Sequence, residues 1–129
     1  MSQAKRLKGS PQRFRLVERE LEDGCRDIQV EGELDLAVAA RLDEALTQAG
    51  EAYGQILVGL EECEFIDSSG IAVILRAHRR LAEDGGRLAL YAPTAQVLRI
   101  LSMTGLTANG LVFDSAERAR LALDGSSSD

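Results

Sequence analysis

Three short apolar runs, Ile56-Leu57-Val58, Leu88-Ala89-Leu90-Tyr91 and Leu111-Val112-Phe113, are each followed by a stretch whose apolar residues recur every three or four positions. This alternation limits what the chain can become. A continuous apolar run reads as a strand buried on both faces, and the longer period reads as an amphipathic helix. Strands alternating with helices need right-handed crossovers, and therefore a largely parallel sheet.

The front of the chain is patterned differently. Phe14, Leu16 and Glu18 against Arg15, Val17 and Arg19 form an imperfect strand, Glu22-Asp23-Gly24 turns, and Cys25 to Val30 alternates again. That pair predicts an antiparallel hairpin at one edge. Val38, Leu42, Ala45 and Ala49 then define a first helix, with Asp35 ahead of it and Gly50 as its expected end. A second helix follows Asp67-Ser68-Ser69-Gly70 and carries Ile71, Ile74, Leu75, His78, Leu81 and Ala82. A third opens at Pro93-Thr94 and closes at Gly105, and a fourth begins at Asp114-Ser115. The expectation is an α/β domain of about five strands and four helices. Whether helices cover one face or both is open at this point.

One domain suits 129 residues. Residues 14–123 form the patterned unit. Residues 1–13, with Lys5, Arg6, Lys8, Arg13 and no acid, are expected to be a basic flexible arm, and 124–129 a polar tail. The longest strictly apolar runs are five residues, far short of a membrane span of ~20. No apolar stretch near Met1 reads as a secretion signal, which predicts a cytoplasmic protein with Cys25 and Cys63 as reduced, partly buried thiols. A net charge of −6 and the absence of Trp argue against nucleic-acid binding, which needs a positive field and stacking surfaces. No cofactor or metal is expected, since a zinc site would have to recruit carboxylates to complete its ligands.

Asp67-Ser68-Ser69-Gly70 is the most informative stretch. It lies where a buried-type strand and its loop hand over to a helix, and in open α/β sheets sites form at the carboxyl ends of strands. Two roles fit it. Asp-Ser-Ser is a helix cap, and a hydroxyl at a helix start is also a place where a phosphate is tolerated. Charge favours a partner there: from Asp27 to Leu75 there are eleven acids and one base, Arg41. Seven of those acids lie in two expected turns, Glu31–Asp35 and Glu61–Asp67. Such a rim steers a basic protein and repels ATP.

Enzyme readings fail. A serine hydrolase needs a base beside its nucleophile, and the one imidazole, His78, lies ten residues beyond Ser68 on an apolar stripe, the place of a satisfied core-edge histidine. No Gly-x-Ser-x-Gly elbow is present, and Gly85-Gly86 follows a helix rather than a strand. Arg76, Arg79 and Arg80 read as a solvated helix face.

Gly32-Glu33-Leu34-Asp35 ahead of one helix, and Glu64-Phe65-Ile66-Asp67-Ser68-Ser69-Gly70-Ile71 at the start of the next, resemble the STAS domain of bacterial anti-sigma factor antagonists. Ala77-His78-Arg79-Arg80, Gly86-Arg87-Leu88 and Thr104-Gly105-Leu106 extend the resemblance over residues 14–123, in order. It implies a single STAS-like domain that is not an enzyme. It also implies a partner switch: the unphosphorylated protein binds an anti-sigma factor that is a serine kinase of the histidine-kinase-like ATPase fold, and a sigma factor is released. Phosphorylation of Ser68, with Ser69 as second choice, ends binding, and a metal-dependent serine phosphatase restores it. The implied partner surface comprises Glu33, Asp35, Asp67, Ser68, Ser69 and Gly70 on a monomer. The competing reading is a STAS interaction module that does not switch, in a stress-sensing scaffold or beside a lipid or anion transporter. Such relatives often carry a degraded serine motif; here it is intact. Three departures stand out: Ala72 where the family often has glycine, Gly59 where a polar residue is common, and Thr107-Ala108-Asn109-Gly110 before the last strand.

Overall fold

A computed structural model describes residues 14–124; the expected arm, and the tail beyond Asp124, lie outside the described residues. The chain runs β1 (Arg15–Leu21), β2 (Cys25–Leu34), α1 (Leu36–Ala52), β3 (Gln55–Gly59), β4 (Cys63–Ile66), α2 (Ser68–Glu83), β5 (Arg87–Tyr91), α3 (Ala95–Met103), β6 (Val112–Phe113) and α4 (Ala116–Leu123). Strand order is β1-β2-β3-β5-β6, and β4 pairs with β2 off this path. Only β1–β2 is antiparallel. The hairpin and the parallel sheet match the expectation.

Helices cover both faces. On the first, Ile28 and Val30 of β2, Ile56 and Val58 of β3, and Leu88 and Leu90 of β5 meet α1, α2 and α3. On the second, Cys25, Leu57, Ala89 and Tyr91 meet Ala119 and Leu123 of α4. Period-2 alternation along each strand sends neighbours to opposite faces, so one sheet feeds two cores. Each fully buried Leu or Ile contributes roughly 1.5–3 kcal/mol.

Three boundaries differ from the sequence reading. The first helix continues past Gly50 to Ala52, where the Tyr53 N–H closes it on the Ala49 carbonyl at 2.8 Å. Gly50 lies against Leu81 of α2, so helix packing holds this residue helical despite its low propensity. The two acidic segments read as turns are strand ends. Most of Glu31–Asp35 belongs to β2, and Cys63–Ile66 forms a sixth, short strand. The departure at Gly59 has a direct cause: a Cβ there would stand 2.6 Å from Cζ and Oη of Tyr91, whose ring occupies that space.

Candidate functional site

β2 pairs with β3 from Cys25 to Gln29, then changes partner. Gly32 takes φ +96°, its N–H donates to the Glu62 carbonyl at 3.0 Å, and pairing resumes with β4 as Gly32–Cys63, Glu33–Phe65 and Leu34–Ile66. The positive φ at Gly32 and the register shift beside it make this step. Because β2 and β4 are parallel and end together, each next residue begins the turn into a helix. Those residues are Asp35 and Asp67.

Both aspartates cap. Asp35 Oδ1 accepts from the Ala37 N–H at 3.1 Å. Asp67 Oδ1 accepts from the Ser69 N–H at 2.9 Å and the Gly70 N–H at 3.3 Å, and the Asp67 N–H donates to the Leu34 carbonyl at 3.1 Å. That last bond ties the two motifs into one corner. Gly70 is buried beneath it. A Cβ on Gly70 would stand 2.6 Å from Leu34 Cγ and 3.0 Å from Ile66 Cγ1, so only glycine lets α2 start this close to β2 and β4. Capping is therefore a role of the motif aspartates, and Gly70 acts by close packing.

Above this base the side chains differ in access. Ser68, Glu33, Glu61, Glu62 and Glu64 are exposed, while Asp35, Asp67 and Ser69 are half-buried. The strand pairing brings Glu33 and Glu64 to one edge. Glu31 pairs with Arg15 at 3.4 Å, and Arg41, the one base of the acidic stretch, lies 4.9 Å over the Phe14 ring. The corner thus keeps a negative field around an exposed hydroxyl.

Other residues lie apart. Both cysteines are free and fully buried, more so than expected; burial pushes the Cys63 thiol up to about 11, and its Sγ donates to the Phe65 carbonyl at 3.4 Å. Arg76, Arg79 and Arg80 are exposed; Arg76 reaches Asp43 at 3.9 Å and Arg80 donates to Thr47 Oγ1 at 3.1 Å. His78 sits at the core edge against a cavity of about 350 Å³ that also touches Arg87 and Leu123. Its buried Nδ1 has no hydrogen-bond partner among the described residues, so it is not the satisfied histidine expected. Among the described residues no His, Cys, Asp or Glu cluster could hold a metal ion, and no helix is long and apolar enough to cross a membrane.

The sequence reading missed Leu36. It is the first residue of α1, three-quarters exposed, and it directly follows the capping Asp35. The apolar run Leu36–Ala40 concealed it, because a run says nothing about which member faces water.

The family model described as the Mlab STAS domain matches residues 17–113. The anti-sigma F factor antagonist of Paenibacillus polymyxa is 30% identical over 112 residues, 84% of this chain and 94% of that protein. The chain belongs to the STAS-domain family of anti-sigma factor antagonists. Members of this family are regulatory proteins rather than enzymes. The solved structure of the antagonist SpoIIAA in its unphosphorylated form is 25% identical, with a TM-score of 0.72 over 88% of this chain and 97% of that one. That of the Bacillus SpoIIAA in its phosphorylated form shares the fold at 24% identity, with a TM-score of 0.66 over 85% and 97%.

Proposed function

We propose that this antagonist, unphosphorylated at Ser68, binds an anti-sigma factor that is a serine kinase of the histidine-kinase-like ATPase fold, and so releases a sigma factor in the cytoplasm. Phosphorylation of Ser68 by that kinase ends binding, and a metal-dependent serine phosphatase reverses it. The observation that carries this reading is the corner itself: two capped helix starts side by side, with the Ser68 hydroxyl exposed between carboxylates. That a structural relative is known in unphosphorylated and phosphorylated forms supports it. Ser68 is favoured over Ser69 because Ser69 is half-buried and its N–H is held by Asp67.

The energetics suit a switch. A phosphate adds roughly −1.5 to −2 charges at pH 7. At the start of α2 the helix field offsets part of the repulsion from Asp67 and Asp35, by ~0.3–1 kcal/mol, so the fold loses little. At a docked surface the same group adds bulk and charge where a hydroxyl fitted. A coupling of ~1–3 kcal/mol changes affinity about five- to 150-fold, enough to exchange partners.

Affinity capture from the source cell with wild type, Ser68→Ala and Ser68→Asp tests this. Wild type and Ser68→Ala are expected to retain an ATPase-fold anti-sigma factor, and Ser68→Asp to lose it. Retention of transporter or scaffold proteins regardless of residue 68 would replace the switch with a plain interaction module.

A further inference from the structure

The two helices of the corner repeat one arrangement at a nearly constant offset. Leu34 pairs with Ile66, and Asp35 and Asp67 follow as matching caps. Further along α1 and α2, Asp43 meets Arg76, Thr47 meets Arg80, and Gly50 lies against Leu81. Each of these pairs is separated by 31 to 33 positions, so α1 and α2 run side by side in the same direction. Leu36 is therefore the neighbour of Ser68, and each is the first residue of its helix. One turn on, Ala40 and Ala72 are the next residues of the same two rows, since positions i and i+4 share a helix face. All four are exposed.

A leucine three-quarters exposed forgoes burial that folding could have supplied, and Leu36 does so beside the switch residue. Ala40 and Ala72 add small apolar surface that lets another backbone approach. Carboxylates ring this ground: Glu33, Asp35, Glu64 and Asp67 at the helix starts, and Glu44 one turn beyond Ala40.

We propose that Leu36, flanked by Ala40 and Ala72, is the apolar anchor of the docking surface and enters a pocket on the anti-sigma factor whose rim is basic. This rests on the partner-switch reading above and adds the residue that holds the partner. The acids steer approach, and Leu36 sets how long the complex lasts. A phosphate on Ser68 then acts on the anchor beside it, by adding bulk where the partner must close over Leu36 and by keeping water on that leucine. The same geometry explains how the departure to Ala72 is accommodated: it adds a methyl to exposed apolar surface.

The test uses the anti-sigma factor retained by wild type, purified, with dissociation constants and rates measured at low and high salt for wild type, Leu36→Ser, Leu36→Met and Glu33→Gln. Leu36→Ser is expected to bind about tenfold or more weakly, mainly through faster dissociation, and to the same extent at both salt concentrations. Leu36→Met should stay within about threefold of wild type. Glu33→Gln should slow association at low salt only. Thermal midpoints of the Leu36 variants should match wild type, because three-quarters of the residue's surface is already in water in the folded chain. Equal affinity of Leu36→Ser and wild type overturns the anchor and leaves the switch standing, as does a Leu36→Ser defect that disappears at high salt. Failure of wild type to retain any anti-sigma factor overturns both.

Discussion

The two faces of the sheet are held together by different physics. Under α1 and α2 the contacts are aliphatic: Leu42, Leu46, Ile56, Ile74 and Leu90 are fully buried and interlock across the layers. On the opposite face α4 packs over β3, β5 and β6, and towards β1 and β2 a polar group takes over. Asp27, the one buried charged side chain among the described residues, accepts from Tyr91 Oη at 2.9 Å and from Arg19 Nη2 at 2.9 Å. Burial, then the bond to Asp27, push the Tyr91 hydroxyl well above the ordinary phenol range. An apolar face is strong in proportion to its area and tolerant of repacking, whereas a buried polar cluster depends on each partner being present. The difference teaches where change is cheap: the corner at Asp35 and Asp67 stands at the ends of strands whose aliphatic face lies under α1 and α2, away from the cluster that needs every partner.

Breaking the apolar side should give the largest effect. Ile74→Ala removes a fully buried side chain between α2 and the sheet and should cost ~2–5 kcal/mol, read as a lower urea midpoint at unchanged slope. A loss below ~1 kcal/mol would show that this face relaxes around a cavity. Next comes Tyr91→Phe, which strips one donor from Asp27 and should cost ~1–3 kcal/mol. Combined with Arg19→Gln it should depart from additivity by at least ~0.5 kcal/mol, because both groups serve one carboxylate, whereas combined with Ile74→Ala it should add. Additivity in the first pair would dissolve the cluster into independent bonds.

The smallest effect separates the faces by pH. The Cys63 thiol belongs to the aliphatic core and has its folded pKa raised to about 11 from 9.0. Between these values the unfolded chain gives up a proton that the folded chain keeps, so stability is full below pH 9 and is lost as pH rises towards 11. At pH 10 the loss from this group should be about 1 kcal/mol. Cys63→Ala should make that part of a stability–pH curve shallower, leaving the loss that burial of the Cys25 thiol causes above pH 9 and the loss that Tyr91 causes at higher pH. An unchanged slope in Cys63→Ala would mean that the thiol is not the titrating group.

Much of this architecture is legible in the sequence because burial writes itself as period. The runs at Ile56, Leu88 and Leu111 and the helical stripe from Ile71 to Leu81 need no tertiary information. The strand β4 was hidden because three of the six residues from Glu61 to Ile66 are acids and the strand has one partner, so its pattern is that of a turn. The cluster around Asp27 was invisible for another reason: Arg19, Asp27 and Tyr91 meet only through register, which pairs Arg19 with Asp27 across a hairpin and lines Tyr91 up with Gly59. At the site, Asp35, Asp67 and Ser68 were legible as helix starts, and their juxtaposition follows from the shared end of β2 and β4. The exposure of Leu36 was not legible, since a hydrophobic residue at a helix start is ordinarily read as core.

β2 is flanked on one side by β1 and on the other by β3 and then β4, so every stretch of its length has hydrogen-bonded neighbours. A pull on the corner at Asp35 is therefore passed along β2 to its Cys25–Gln29 stretch, which has a hydrogen-bonded ladder on each side to share the load. On the partner-switch proposal, a phosphate on Ser68 changes what this braced corner carries, and the partner reads the added group itself.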